Sequence, residues 1–438
     1  MGVTVELENR IDWKRQILEL EHSRGLDLRQ KARIHWTTYG DENSRGVWST
    51  DPLAIKNEIF TFFKDKFSET MISHPTLTCN FTKTLSDLDS GFLIEPFSNA
   101  EIKTAVWSCG NERALGPDGF SFKFIKQYWD HFESDFRNIM QHFHSTGDIN
   151  TTCNSSFIAL IPKTKDPLCL SDYRPINLIG CIYKVISKVL ANRLKRVIGS
   201  VIGEEQTAFI AGRNILDGPL MINELIAWIK KSKNDALLFK VDFSKAFNSL
   251  HWPFLHSVME QLGFPTLWNK WIMGCLKSSR TSVLVNGSPT NEFSVGKGVR
   301  QGDPLAPFLF VLAMEALNSV MRKACSMGLF RGILTPNSGP LLSHLFYADD
   351  ALFIGEWSQT NLLNLARILC CFHLSSGLMV NFSKSKVFWI GIPDNEVGEF
   401  AKILCCQAAA LPFTYLGLPV GANMSLIKHW QPVIERFK

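Results

Sequence analysis

LLFKVDF at residues 237–243 and HLFYADDALF at residues 344–353 decide how this chain is read, because each sets carboxylates into an apolar run. Short runs of Leu, Phe and Val read as strands, and Asp is a poor strand former. A carboxylate buried there without a partner costs several kcal/mol, roughly, unless a cation compensates it. Asp242 and the pair Asp349-Asp350 should therefore meet positive charge. Hard oxygen donors of this kind suit magnesium, which keeps water and phosphate oxygens in its shell, or manganese in its place. Two such ions about 3.5–4 Å apart stabilise the attacking and the leaving oxygen of an in-line phosphoryl displacement. The rival reading is that Asp349-Asp350 is simply a tight hairpin turn, where Asp is common.

The surrounding sequence mixes strands with amphipathic helices. Residues 236–243 read as a strand ending in Asp242, and residues 342–354 as a hairpin whose apolar arms flank Tyr347-Ala348-Asp349-Asp350. A second hairpin over residues 282–295 turns at Asn286-Gly287, a strong short-range hairpin signal. Residues 157–162 form a further strand. Ile182, Val185, Ile186, Val189, Leu190, Val197 and Ile198 recur at helical spacing. Arg300-Gln301-Gly302-Asp303-Pro304-Leu305 opens another helical segment, and its turn suits a path along a nucleotide or template backbone. Nearer the N-terminus, residues 51–110 suggest short helices divided by a Thr/Ser/Asn-rich loop near His74 to Ser90, with a turn at Gly116-Pro117-Asp118-Gly119. Residues 1–45 read as a charged surface helix or linker, whose tract Arg29, Lys31 and Arg33 is either a backbone-binding stripe or a solvated face. This is an α+β pattern rather than a doubly wound one. No solenoid period is present.

Composition sets outer bounds. The 438 residues are 45% hydrophobic and 20% charged, so the chain can bury a large core and is not disordered as a whole. A net charge of +5 is mild, which makes any nucleic-acid surface a local one. Between Leu160 and Ser200 stand eight basic residues, Lys163, Lys165, Arg174, Lys184, Lys188, Arg193, Lys195 and Arg196, against Asp166 and Asp172. That local excess reads as a template-binding face. Eleven cysteines without a C-x-x-C spacing argue for free thiols in a reducing compartment. No apolar run approaches the length of a membrane span, and MGVTVELENR lacks the design of a secretory signal. Gly2 mimics a myristoylation start, but Glu6 occupies the place of the required Ser or Thr. The expected location is intracellular, nuclear or cytoplasmic, with no membrane partner.

VDFSKAF at 241–247, VRQGDPLAP at 299–307 and FYADD at 346–350, in this order, resemble the palm motifs of a reverse transcriptase. Upstream, ALGPDGF, LIPKTKDPLCLSDYRPINL, YKVISKVLANRLK and EQTAFIAGRNILD extend the likeness; downstream, GLMVNFSKS and FTYLGLPVG continue it. Together they are similar to the enzyme of non-LTR, LINE-type retrotransposons, most like plant elements. SDYRPINL and AGRNILD favour this over a group II intron maturase-type enzyme. The resemblance implies a right-hand polymerase of fingers and palm, an RNA template, a DNA primer and deoxynucleoside triphosphates. It also implies that Asp242, Asp349 and Asp350 hold two magnesium ions, and that Phe247 lies under the incoming sugar and rejects a 2′-hydroxyl. Lys163 and Arg174 would contact the triphosphate, for which a point charge and a planar fork are suited; their rival reading is solvated surface charge. Gln301 would line the nucleotide pocket, Lys384 would lie near the leaving pyrophosphate as a candidate general acid, and Tyr415-Leu416-Gly417 would support the primer end.

The likeness divides the chain into an N-terminal helical extension or linker (1–110), a reverse transcriptase domain (111–425) and the start of a truncated thumb or connection (426–438). Some features depart from the family pattern. Asn248 stands where Asp is usual, implying weakening rather than loss, and Ala306 replaces the usual Ser. Gly40-Asp41-Glu42-Asn43-Ser44 runs almost directly into Gly46-Val47-Trp48, as after an internal deletion. An incomplete or absent thumb, no endonuclease segment and no C-terminal cysteine-histidine knuckle are expected. The alternative function is an inactive relic that keeps only the fold and RNA binding.

Overall fold

The computed structural model describes residues 41–42, 48–49, 51–69, 74–167, 169–336, 339–393, 397–398, 406–424 and 426–435. The expected helix over residues 1–45 thus falls almost wholly outside the described residues; Asp41–Glu42 pairs antiparallel with Trp48–Ser49 as a two-residue ribbon. In chain order the main strands are β1 (Ser155–Pro162), β2 (Tyr173–Ile179), β3 (Ala236–Val241), β4 (Arg280–Val285), β5 (His344–Tyr347), β6 (Asp350–Glu356), β7 (Lys386–Ile390), β8 (Phe413–Tyr415) and β9 (Leu418–Val420). The main helices are α1 (Pro52–Phe67), α2 (Asp87–Ile94), α3 (Asn99–Ser108), α4 (Phe122–Gln127), α5 (Trp129–Thr146) and α6 (Cys181–Val201). They continue with α7 (Asp217–Ser232), α8 (Ala246–Ser249), α9 (Trp252–Gln261), α10 (Thr266–Lys277), α11 (Ala306–Ser326) and α12 (Gln359–Ser376). The fold is α+β, as the texture of the sequence indicates.

β3 owes its unbroken apolar run to its place. It lies between β6 and β7 in a five-stranded sheet ordered β5-β6-β3-β7 and then Gln407–Ala408. Alternate side chains of a strand face opposite sides, and here both sides are covered. Leu237, Phe239 and Val241 enter the larger core, while Ala236 and Leu238 enter a smaller one with Ile222, Leu225, Ile226 and Ile229 of α7. The larger core runs from Ile59 of α1 to Val387 of β7. α11 sits within it, with Leu309, Phe310, Val311, Leu312, Ala313 and Met314 all buried.

The second sheet is ordered β2-β1-β4, extended by Ser288–Pro289, with Phe293–Ser294 also paired to β4. Its hairpin turns at Asn286 and Gly287, with φ of 51° and 73°, the two positive values a type I′ turn needs. α2 begins at Asp87, inside the loop expected up to Ser90, because the Ser86 side chain caps it by accepting the Asp89 N–H at 3.1 Å.

One basic residue is not where its count placed it. Arg193 is 2% exposed rather than part of a solvated face. Its guanidinium makes a two-pronged pair with Glu101, at 2.8 and 3.0 Å, and donates to the carbonyls of Leu93, Glu95 and Pro96. It stacks over Phe97 at 4.4 Å. Arg193 is the bolt between α6 and the α2–α3 connection, and it has no donor left for a template. Lys195 and Arg196 remain exposed on the same helix.

Candidate active site

Strand register brings the aspartates together. In β3 and β6, Val241 lies opposite Ala351, so one further step along the ladder sets Asp242 opposite Asp350. Residues facing one another across antiparallel strands have Cβ atoms about 4.5–5.5 Å apart. Asp349 occupies the turn between β5 and β6, whose closing pair is Tyr347 and Asp350. One expectation needs correction: the carboxylates are not enclosed within strands. β3 ends at Val241 and β6 begins at Asp350, which leaves Asp242 and Asp349 exposed and Asp350 half-buried. Protein packed behind them, their mutual repulsion and the charge of Asp242 hold the Asp349 carboxyl above its ordinary value. Asp350 is raised by burial and by Asp242, with Lys240 pulling the other way.

The turn itself is strained and stapled. Ala348 has φ of 52°, uncommon for a residue with a Cβ. Its N–H donates to Gln206 Oε1 at 3.0 Å, the same atom that accepts from Ala208. Phe346 donates to the Glu205 carbonyl and accepts from Thr207. Arg213 fastens this segment from behind through the carbonyls of Ile202, Gly203 and Gln206. The EQTAFIAGR stretch therefore positions the aspartate hairpin, a role that sequence reading did not assign to Gln206 or Arg213.

On the other flank, GLMVNFSKS wraps Asp242. The Asp242 N–H donates to Ser385 Oγ at 3.1 Å, its carbonyl accepts from Asn381 at 2.7 Å, and Ser244 donates to the Met379 carbonyl. This brings Lys384 to a cleft of about 480 Å³ lined also by Asp242, Asp350, Lys240, Lys386 and Phe413. Tyr415 is buried behind it, its hydroxyl pushed up by burial and by Asp350. Leu416 and Gly417, with φ of 49° and 90°, make the turn from β8 to β9.

Near Lys384 is a set of basic groups that repel one another. Lys163 donates to the Ser171 carbonyl at 2.6 Å. Its amine is held below its ordinary value by partial burial, then by Lys384 and Arg174, with Lys245 adding to Lys163's shift and Asp172 opposing it. Arg174 is exposed on β2. Sequence reading missed Lys66, at the end of α1. Burial, Lys245 and Lys163 lower its amine to about 7, and it lies over the rings of Phe62, Phe63 and Phe67 at 5.9, 5.1 and 5.9 Å. No motif signalled it, because its basic neighbours come from distant segments.

Phe247 and Gln301 do not line the cleft. Half-buried Phe247 stacks on Phe310 at 4.7 Å. Gln301 accepts the Asn177 N–H at 2.8 Å through its carbonyl. The arginine beside it is corrected too: Arg300 is buried, donates twice to Asn154 and stacks on Tyr183 at 4.1 Å, so it is closed to a nucleic-acid backbone. Asp303 accepts from Tyr183, Ser187 and the Leu305 N–H. Asn248 is buried, with no hydrogen-bond partner on Oδ1 among the described residues.

Comparison with known proteins names the class. Residues 161–420 match the family described as reverse transcriptase (RNA-dependent DNA polymerase), and the chain belongs to that family. It is of the LINE type. It is 26% identical over 340 residues to an uncharacterized 149 kDa protein of transposon TX1 from Xenopus laevis, covering 76% of this chain and 25% of that one. It is 27% identical over 293 residues to the Pol polyprotein of a type-1 retrotransposable element R2 from Popillia japonica, covering 66% and 39%. An uncharacterized mitochondrial protein of Arabidopsis thaliana is 35% identical over 113 residues, 25% of this chain and 88% of that one. The chain thus spans between a quarter and two-fifths of the two transposon proteins. Among the described residues, no helix is long and apolar enough to cross a membrane.

Proposed function

We propose that the chain carries the polymerase centre of a LINE-type element and adds deoxynucleotides to a DNA 3′-hydroxyl on an RNA template, releasing pyrophosphate. The observation that carries this reading is the register that sets Asp242 opposite Asp350, beside Asp349 and facing Lys384. The β5-β6-β3-β7 sheet is the palm, and β1, β2 and the amines around Lys163 belong to the fingers.

The donor set fits divalent cations. It consists of hard carboxylate oxygens whose burial and repulsion raise two of the three acids, a tension that bound cations relieve. Asp242, Asp349 and Asp350 would hold them, and the ions, when bound, supply charge stabilisation to the oxygens of the displacement. The chain's own groups do the positioning. Lys163, Arg174 and Lys66 grip the triphosphate, and Lys384 holds a proton for the leaving pyrophosphate. Phe247, backed by Phe310, fills the space of a 2′-hydroxyl, Gln301 borders the base-pair pocket, and Tyr415-Leu416-Gly417 buttress the primer end. Exposed Lys195 and Arg196 meet template phosphates.

Primer extension on an RNA template, run beside RNA binding, tests the assignment. Asp349→Ala should abolish extension while leaving RNA affinity nearly unchanged. Extension by that variant at the wild-type rate would overturn it.

A further inference from the structure

Away from the aspartates, three side chains from distant segments converge at the α8–α9 junction. Glu69 follows α1, His74 lies beyond it, and His251 caps α9. Glu69 Oε2 is 3.7 Å from His74 Nε2 and 3.5 Å from His251 Nε2. One donor atom from each residue falls within a 4.8 Å set. These separations exceed an ordinary N–H···O hydrogen bond. They come close to the edge of a tetrahedral centre, in which bonds of about 2.0–2.1 Å place donors about 3.3–3.4 Å apart.

Two further observations point to a ligand. The His74 side chain is only 8% exposed, yet among the described residues neither ring nitrogen has a hydrogen-bond partner, a costly state for a buried polar group. His251 is oriented as metal-binding histidines are: its Nδ1 lies 3.2 Å from the Ser375 carbonyl, which takes the ring N–H and leaves the Nε2 lone pair toward Glu69. Its backbone N–H donates to Ser376, and a Cβ at Gly377 would fall 2.6 Å from the ring. His251 is thus locked in place. The two imidazoles lie 3.7 Å apart, centroid to centroid. Burial favours the neutral, ligating form of His251; Glu69 opposes that, and His74 and Lys297 add to it.

We propose that Glu69, His74 and His251 form a binding site for a zinc-class divalent cation, with water as the fourth ligand, that ties the segment after α1 to the α8–α9 junction. Two imidazoles and a carboxylate are a zinc donor set, and a softer one than the all-carboxylate cleft. The tie matters because the end of α1 and the α8–α9 junction are already both fastened to residues 296–299. Gly296 donates to the Phe67 carbonyl, Gly298 to Leu250 and Val299 to Phe247. A cation here braces the segments that carry Lys66 and Phe247.

The test is metal stoichiometry of the full chain, stripped with chelator and titrated with zinc chloride, and with cobalt chloride for its ligand-field absorption. Wild type should bind one zinc per chain tightly, melt at a higher temperature when loaded, and give the intense visible spectrum of four-coordinate cobalt. His74→Ala and the isosteric Glu69→Gln should each weaken binding by about a hundredfold or more and lose that spectrum, with far-ultraviolet circular dichroism unchanged. Asp349→Ala should keep both. A wild type without tight zinc binding overturns the proposal, as does full stoichiometry in both His74→Ala and Glu69→Gln, or loss in Asp349→Ala alone.

Discussion

Two charged regions of this chain are built on opposite terms. In the bolt between α6 and α3, and in the turn before α11, cation meets anion: Arg193 meets Glu101, and Arg300 lies 3.8 Å from Asp303 and donates twice to Asn154. In the cleft, like charges face like. Beyond burial, Asp350 and Asp242 raise the Asp349 carboxyl and Asp242 raises that of Asp350, while Lys245 and Lys163 lower the Lys66 amine and Lys384, Arg174 and Lys245 lower that of Lys163. A fold gains nothing from such crowding on its own account, since repulsion and partial desolvation both oppose it. Charge that is satisfied within the chain holds the fold. Charge left in tension is arranged for something that arrives from outside.

Substitutions separate the two terms, and the largest effect belongs to the cleft. Asp242→Ala should lower primer extension by about a thousandfold or more, the scale of losing a group that positions transition-state charge. Chemical denaturation should find its stability equal to or above that of wild type, because one repelling carboxylate is gone. A clear loss of stability would place Asp242 with the satisfied class and break the contrast.

Arg193→Ala should do the reverse. Removing one partner of a buried pair costs about 3–5 kcal/mol, read as a fall in the urea midpoint, while RNA affinity of the folded protein stays the same. Acid sharpens the point. Burial alone would push the Glu101 carboxyl up, but the hydrogen bonds from Arg193 and Ser98 outweigh it and hold it below its ordinary value. Its stabilisation is therefore present above the unfolded carboxylate value and fades only as pH falls through the lower folded value. Arg193→Ala should shrink that acid limb, leaving only the part that Ser98 supplies.

Phe247→Val tests a residue between the regions, half in the core and half at the site. If it gates the sugar, ribonucleotide use should rise by about tenfold or more while deoxynucleotide use changes little, a difference above about 1.4 kcal/mol. Equal loss for both substrates would mark it as a core aromatic, whose deletion costs stability alone.

The smallest effect is expected at Lys66. Its amine, lowered to about 7, is charged below that pH and neutral above it. The KM for deoxynucleoside triphosphate should therefore rise as pH passes upward through about 7. Lys66→Met should raise KM by about tenfold at low pH, one charge-assisted hydrogen bond's worth, and flatten the rise. A pH profile identical to wild type would detach Lys66 from the site.

What could be read from sequence was local. Short apolar runs and turn chemistry located the strand before Asp242, the Asn286-Gly287 hairpin and the aspartate hairpin, since such runs and turn residues act over a few positions. Even Arg193 was legible in part. It lies seven residues after Ile186 and three after Leu190, on the buried stripe of α6, so helical phase argued against solvent where a tally of charge suggested it. The motifs also sufficed for the family, because they are short and ordered along the chain.

The tertiary structure alone decided which charges have partners. Lys66 carries no local sign of a lowered amine, and nothing near His74 in sequence names His251. The ladder step that faces Asp242 with Asp350 depends on β3 entering between β6 and β7, a pairing of strands far apart in the chain. Side-chain ionisation follows from distance and desolvation in space, and those quantities exist only once remote segments have packed. Sequence by itself therefore determined the elements and the lineage; the electrostatics of the cleft, the bolt at Arg193 and the junction at His251 were determined by long-range packing.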